Sequence, residues 1–79
     1  MARLKRPALI LSFARTTDAM AAEQFCMTNG LPGRLIPVPR EITAGCGLSW
    51  RAAPEDEEAL TSALEQAGLA WSGLYHLEL

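Results

Sequence analysis

The stretch Ala8-Leu9-Ile10-Leu11-Ser12-Phe13 decides the fold. A short apolar run of this kind is typical of a strand buried in the centre of a sheet. Thr16 or Thr17 then offers a side-chain oxygen to cap a helix, and Asp18 follows in its first turn, where the helix dipole favours a negative charge. Asn29-Gly30 ends that helix, because glycine tolerates the left-handed conformation after the last turn. The sequence therefore predicts a central strand followed by a helix.

Three more strands and a second helix follow along the chain. Alternating apolar residues bounded by proline and glycine predict strands at Leu31–Ile36, Leu48–Ala52 and Trp71–Leu77. The second helix is predicted at Pro54–Ala67. Pro32 suits an edge strand, where its missing N–H faces no partner. Pro54 fits the first position of the second helix, and Gly68 ends it. One apolar stripe of that helix is expected to pack on the core. It consists of Ala59, Leu60, Ala63, Leu64 and Ala67.

The predicted order is β-α-β-β-α-β, and the segment Asn29-Gly30-Leu31 is echoed by Ala67-Gly68-Leu69. Two such halves predict a ferredoxin-like α+β fold, a four-stranded antiparallel sheet with two helices on one face. In this topology the first and third strands lie in the middle. The other sheet face, if partly apolar, is a candidate homodimer surface. We expect one domain, residues 1–79, with its core at about 8–77.

Composition limits the class of protein. The chain has 79 residues, 49% of them hydrophobic, and a formal net charge of −2. Phosphate neutralisation requires a cationic face, so this balance argues against nucleic-acid binding. No apolar stretch approaches the length of a membrane span. The apolar run that begins at Ala8 ends before Arg15 and leaves no small-residue cleavage site, which argues against a secretory signal. We expect a cytoplasmic protein that binds neither nucleic acid nor membrane.

The two cysteines, Cys26 and Cys46, are too few for a disulfide scaffold. With one histidine and no Cys-x-x-Cys pair, the sequence predicts no metal site, and it indicates no cofactor. A single Cys26–Cys46 disulfide stays an alternative. Cys26 continues the helical stripe of Ala19 and Ala22, so we expect it to serve as a small core residue.

Cys46 is the candidate chemical centre. The topology brings the loop after the second strand to the end of the first strand, where the first helix begins with free N–H groups. Five residues should gather there: Arg15, Thr16, Thr17, Arg40 and Cys46. This environment favours a thiolate, and Gly45 and Gly47 would let a sulfur substituent or a partner approach the backbone.

Each candidate residue also has a purely structural interpretation. Cys46 could be a small apolar residue at the start of a strand. Arg40 could hold an anion such as sulfite, selenite or phosphate, or it could be a solvated partner of Glu41. His76 lies at the opposite end of the sheet, which argues against a Cys–His catalytic pair. We expect Trp50 and Trp71 in the core or at a dimer face.

At these residues the chain resembles a family of small bacterial proteins, DUF3343, described as selenium/sulfur carrier protein-like. The segments that carry the resemblance are Phe13 with Thr16, Asp18-Ala19-Met20, Ala22-Glu23, Gly30-Leu31, Leu35-Ile36-Pro37-Val38-Pro39-Arg40-Glu41-Ile42 and Cys46-Gly47-Leu48. The resemblance implies a thiol, Cys46, that carries sulfur or selenium between enzymes. The family pattern often has Ser-Thr-His where this chain has Arg15-Thr16-Thr17, and a serine run where it has Thr43-Ala44-Gly45.

Three functions compete. The first is a non-enzymatic carrier that uses Cys46 as a persulfide or selenylsulfide and exchanges it with donor and acceptor enzymes. The second is an interaction or regulatory module, dimeric through its sheet face, in which Cys46 is structural. An enzyme in its own right has the least support, because no acid, base or metal-ligand set accompanies the thiol.

Overall fold

Four strands and two helices form the structure. A computed structural model of the chain describes residues 5–42 and 45–79. The elements are β1 (Pro7–Ser12), α1 (Thr16–Thr28), β2 (Arg34–Pro37), β3 (Leu48–Ala52), α2 (Glu57–Gln66) and β4 (Gly73–Glu78). The predicted order β-α-β-β-α-β is confirmed.

The strands form one antiparallel sheet in the order β2-β3-β1-β4. β1 is central, with Leu11 opposite Trp50 of β3 and Leu74 of β4. β2 pairs only with β3, so its predicted edge position is confirmed. Antiparallel neighbours with both helices crossing one face constitute the expected ferredoxin-like α+β fold.

The main core lies between the sheet and the helices. Strand alternation turns Leu9 and Leu11 toward the helices, where they meet Ala22 of α1 and Leu60 of α2. Trp50 is buried in this core, and its indole N–H donates to the Pro32 carbonyl at 3.0 Å. Both helices therefore pack on the same face, as predicted.

The opposite face of the sheet is less open than expected. Ala8 and Ile10 are buried there beneath Ile42, a residue of the segment that joins β2 to β3. Half-buried apolar side chains surround this second cluster: Ile36, Val38, Tyr75, Leu77 and Leu79. We call Ala8, Ile10 and Ile42, together with these five half-buried residues, the back-face cluster. The chain itself thus covers the centre of the face that is the candidate homodimer surface.

Three of the strands, β1, β2 and β4, have boundaries that differ from the prediction. β1 begins one residue earlier, at Pro7, and ends at Ser12, because the Phe13 carbonyl leaves the ladder to accept a loop hydrogen bond. β2 begins at Arg34, not Leu31, because Gly33 adopts φ +116 beside the Trp50 indole. β4 begins at Gly73, two residues after the predicted Trp71.

The prediction that Thr16 or Thr17 caps α1 is wrong. Both threonines lie inside the helix, and the N-cap is Arg15, whose side chain caps no N–H. The Arg15 guanidinium instead bonds both Asp18 carboxylate oxygens, at 3.1 and 3.2 Å. The helix end is as predicted, since Asn29 is the C-cap and Gly30 follows with φ +65.

The start of α2 also differs from the prediction. Pro54 opens a 3-10 helix, Pro54–Asp56, and α2 begins only at Glu57. Of the expected apolar stripe, Leu60 and Leu64 are buried. Ala63 is half-buried, whereas Ala59 and Ala67 are exposed.

Candidate functional site

The loop between β2 and β3 (residues 38–47) is fixed at both ends by backbone hydrogen bonds. The Cys46 N–H donates to the Phe13 carbonyl at 3.0 Å, and the Val38 N–H donates to the Gly47 carbonyl at 3.0 Å. Phe13 stands between β1 and the first residue of α1, Thr16. The expected proximity of the loop to the start of α1 is therefore confirmed at the backbone.

Cys46 is half-buried. It packs against the helix-side core, and its Sγ lies 3.9 Å from the Leu48 carbonyl oxygen, at the outer limit of a sulfur hydrogen bond. Cys26, by contrast, has an exposed fraction of 0%, and burial raises the pKa of its thiol. Of the two cysteines, only Cys46 is partly exposed to solvent.

The glycines beside Cys46 serve different purposes. Gly45 has φ +114, and a Cβ there would lie 2.7 Å from the Phe13 carbonyl oxygen. Glycine at this position is therefore required for the loop to approach β1. Gly47 has φ +91, yet a Cβ there would meet nothing within 4 Å. The open space predicted beside the thiol lies on the Gly47 side.

Arg40 and Cys46 belong to different parts of the loop. Arg40 is exposed in a turn that the Ile42 N–H closes by donating to the Pro39 carbonyl at 3.0 Å. The Ile42 side chain at the end of this turn packs in the back-face cluster. Cys46 instead packs against the core between the sheet and the helices. Thr43 and Ala44, which connect the two parts, lie outside the described residues.

The side chains at the start of α1 form few interactions with the Cys46 loop. Thr16 and Thr17 are exposed, and among the described residues neither side chain forms a hydrogen bond with Cys46. Arg15 is engaged by Asp18 in an ion pair of 3.1 Å. The structure thus places the start of α1 beside the loop, and within residues 5–42 and 45–79 no charged side chain forms a hydrogen bond with the thiol.

The remaining candidate ligands and partners lie elsewhere. His76 pairs with Leu9 across the sheet and contacts Glu57 at 2.7 Å, so it stands roughly 13 Å along β1 from Phe13. Both cysteines are free thiols, which makes the Cys26–Cys46 disulfide alternative wrong for this structure. In the part of the chain that the structure describes, no three His, Cys, Asp or Glu side chains group as metal ligands.

Comparison with known proteins gives one match. The family model described as "Putative Se/S carrier protein-like" matches residues 8–76. The chain belongs to this family. No curated protein and no solved structure matched it. Over residues 5–42 and 45–79, neither helix of this Se/S carrier-like chain is long and apolar enough to cross a membrane.

Sequence reasoning missed two residues that shape the loop of this Se/S carrier-like chain. Phe13 was assigned to β1, but its carbonyl is the anchor for Cys46. Ile42 was given no role, although it covers the back of the sheet with 4% exposure. The apolar residues Ile36, Val38 and Ile42, separated by proline or charged residues, were the available indication that this loop has a buried side.

Proposed function

We propose that this protein carries sulfur or selenium on the Cys46 thiol. The thiolate attacks the terminal sulfur of a donor persulfide, and a new S–S bond forms at Cys46 Sγ. The bond between that sulfur and the donor cysteine breaks, and its electron pair leaves on the donor sulfur as a thiolate. No outside oxidant is needed, because the transferred atom keeps its oxidation state. Selenium transfer follows the same course as a selenylsulfide.

The observation that carries the proposal is the contrast between the two thiols. Cys46 is half-buried beside the open space at Gly47, whereas Cys26 is enclosed by the core. A carrier thiol must meet a donor and then an acceptor, which requires one accessible sulfur and no competing one. Family membership supports the same role.

The partners we propose are a donor enzyme and an acceptor enzyme. The protein itself needs no acid or base for this exchange, because the attacking and leaving groups are both thiolates. A reducing compartment such as the cytoplasm suits a carrier whose resting state is a free thiol.

Arg40, Thr16 and Thr17 remain predictions as helpers of the thiol. Arg40 is exposed in the same loop as Cys46, and a guanidinium there would bind an anionic sulfur or selenium species. Self-association through the back-face cluster also remains a prediction. Its partly exposed side chains, such as Tyr75 and Leu77, form the rim that a second copy would cover.

The competing proposal is an interaction module in which Cys46 is structural. The Cys46 N–H bond to Phe13 and the packing of its side chain on the core favour that role. The two functions differ in one respect: a structural cysteine keeps its thiol unmodified when a persulfide donor is present.

The test is intact-mass analysis of the reduced protein after incubation with a cysteine desulfurase and free cysteine. We expect a gain of one sulfur atom that dithiothreitol removes. Cys26→Ser should keep the gain, because its thiol is not the carrier, and Cys46→Ser should lose it. Circular dichroism would verify that both variants are folded. Absence of the gain in the parent, or its persistence in Cys46→Ser, would refute the carrier function.

A further inference from the structure

A cleft lies at the far end of the sheet from Cys46. It is open to solvent, with a volume of about 460 Å³, and lies between the start of β1, the start of β2 and the end of β3. Three arginines line it: Arg6, Arg34 and Arg51. Pro7, at this end of β1, is six residues from Phe13, so roughly 20 Å of strand separates the cleft from the Cys46 loop.

The three arginines have no acidic partners. Within residues 5–42 and 45–79, the ion pairs are Arg15–Asp18 and His76–Glu57, and no carboxylate bridges an arginine of the cleft. Asp56 is the one acidic residue of the lining. The cleft is therefore locally cationic in a chain whose formal net charge is −2.

Two of the arginines that line the cleft form an unfavourable like-charge pair. Arg34 and Arg51 are direct cross-strand partners in the register of β2 and β3. Like charges in this position repel one another on the same sheet face. An anion held between the two guanidinium groups would convert this repulsion into attraction, since each group can donate two parallel hydrogen bonds.

We propose that the cleft binds a small molecule that carries a phosphate group on an apolar body. The arginines fit the phosphate, because guanidinium forks match its oxygens in geometry and charge. Pro7, Pro32 and Ala53 supply apolar surface in the lining for the rest of such a molecule. The volume is within the range of small-molecule sites. The site acts independently of the thiol chemistry proposed for Cys46.

The test is a titration of the ¹⁵N-labelled full chain with phenyl phosphate at constant ionic strength, followed through amide chemical shifts. We expect saturable shifts at Gly33, Arg34 and Arg51, with Cys46 unmoved. Inorganic phosphate should bind more weakly, because it lacks the apolar body. Arg34→Gln and Arg51→Gln should each weaken phenyl phosphate binding about tenfold, the effect of losing one charged hydrogen-bonded contact.

Arg15→Gln is the matched control, because it removes the same charge from an arginine that Asp18 already pairs. It should change the affinity less than twofold. Thermal melts would verify that the variants fold. Unsaturable shifts, equal weakening by all three variants, or tighter binding of a pentaglutamate peptide would overturn the proposal. The last result would assign the cleft to an acidic protein partner.

Discussion

Cys26 is enclosed by α1 and the sheet, and Cys46 stands at the edge of the same core. Burial favours the neutral thiol of Cys26 and raises its pKa above the ordinary value of 9.0. The folded chain thus holds this proton to higher pH than the unfolded chain does. The resulting stabilisation is fully present below pH 9 and is lost as pH rises through the raised pKa.

Cys26→Ala should lower the free energy of unfolding by on the order of 1–2 kcal/mol at pH 7, because it removes a buried sulfur. The difference from the parent should shrink above pH 9, where the parent loses the stabilisation of the buried neutral thiol. Urea unfolding at pH 7 and pH 10 would measure both effects. Cys46→Ala, at a half-buried position, serves as the comparison and should cost less at pH 7. A Cys26→Ala midpoint equal to that of the parent at pH 7 would contradict the burial of Cys26.

Among the elements, the β2–β3 loop depends on glycine for two separable reasons. Both Gly45→Ala and Gly47→Ala force a side chain into positive φ, at about 1–3 kcal/mol each. Gly45→Ala also drives a Cβ against the Phe13 carbonyl. It should therefore break the Cys46–Phe13 hydrogen bond and cost about 1 kcal/mol more. Amide hydrogen exchange at Cys46 should accelerate in Gly45→Ala and stay near the parent rate in Gly47→Ala. Equal exchange in both variants would mean that the loop does not rest on Phe13.

Local sequence patterns predict some of the strands and helices correctly and fail at particular boundaries. The apolar run at β1, the alternation in β3 and the glycine after α1 predicted their elements, because each reflects a local backbone or burial requirement. The cap of α1 was mispredicted, because Asp18 draws Arg15 into an ion pair and the chain enters the helix one residue earlier. The start of β2 was mispredicted because Trp50, distant in sequence, occupies the space beside Gly33.

For the whole molecule, the sequence predicts one sheet face covered by helices and an open second face, a candidate homodimer surface if partly apolar. The structure closes part of that second face with its own loop, through Ile42. Local periodicity could not predict this closure, because it depends on how an irregular segment returns across the sheet. The location of Cys46 near the start of α1 was predictable, since strand order alone fixes which loops are neighbours. The arginine cleft was not, because Arg6, Arg34 and Arg51 meet only once the strands are in register.

Ile42 therefore connects the back of the sheet to the loop that carries Cys46. Ile42→Ala should lower the free energy of unfolding by about 2–5 kcal/mol, as other buried isoleucine truncations do. It should also speed alkylation of Cys46 under native conditions, because the loop loses its anchor on Ala8 and Ile10. Ile36→Ala is the matched control, because Ile36 lies on the same face, is half-buried and belongs to a strand. This variant should lose less stability and keep the alkylation rate of Cys46 near that of the parent. If Ile42→Ala left Cys46 alkylation unchanged, the thiol would be positioned by Phe13 and Gly45 alone, and the back face would have no influence on the site.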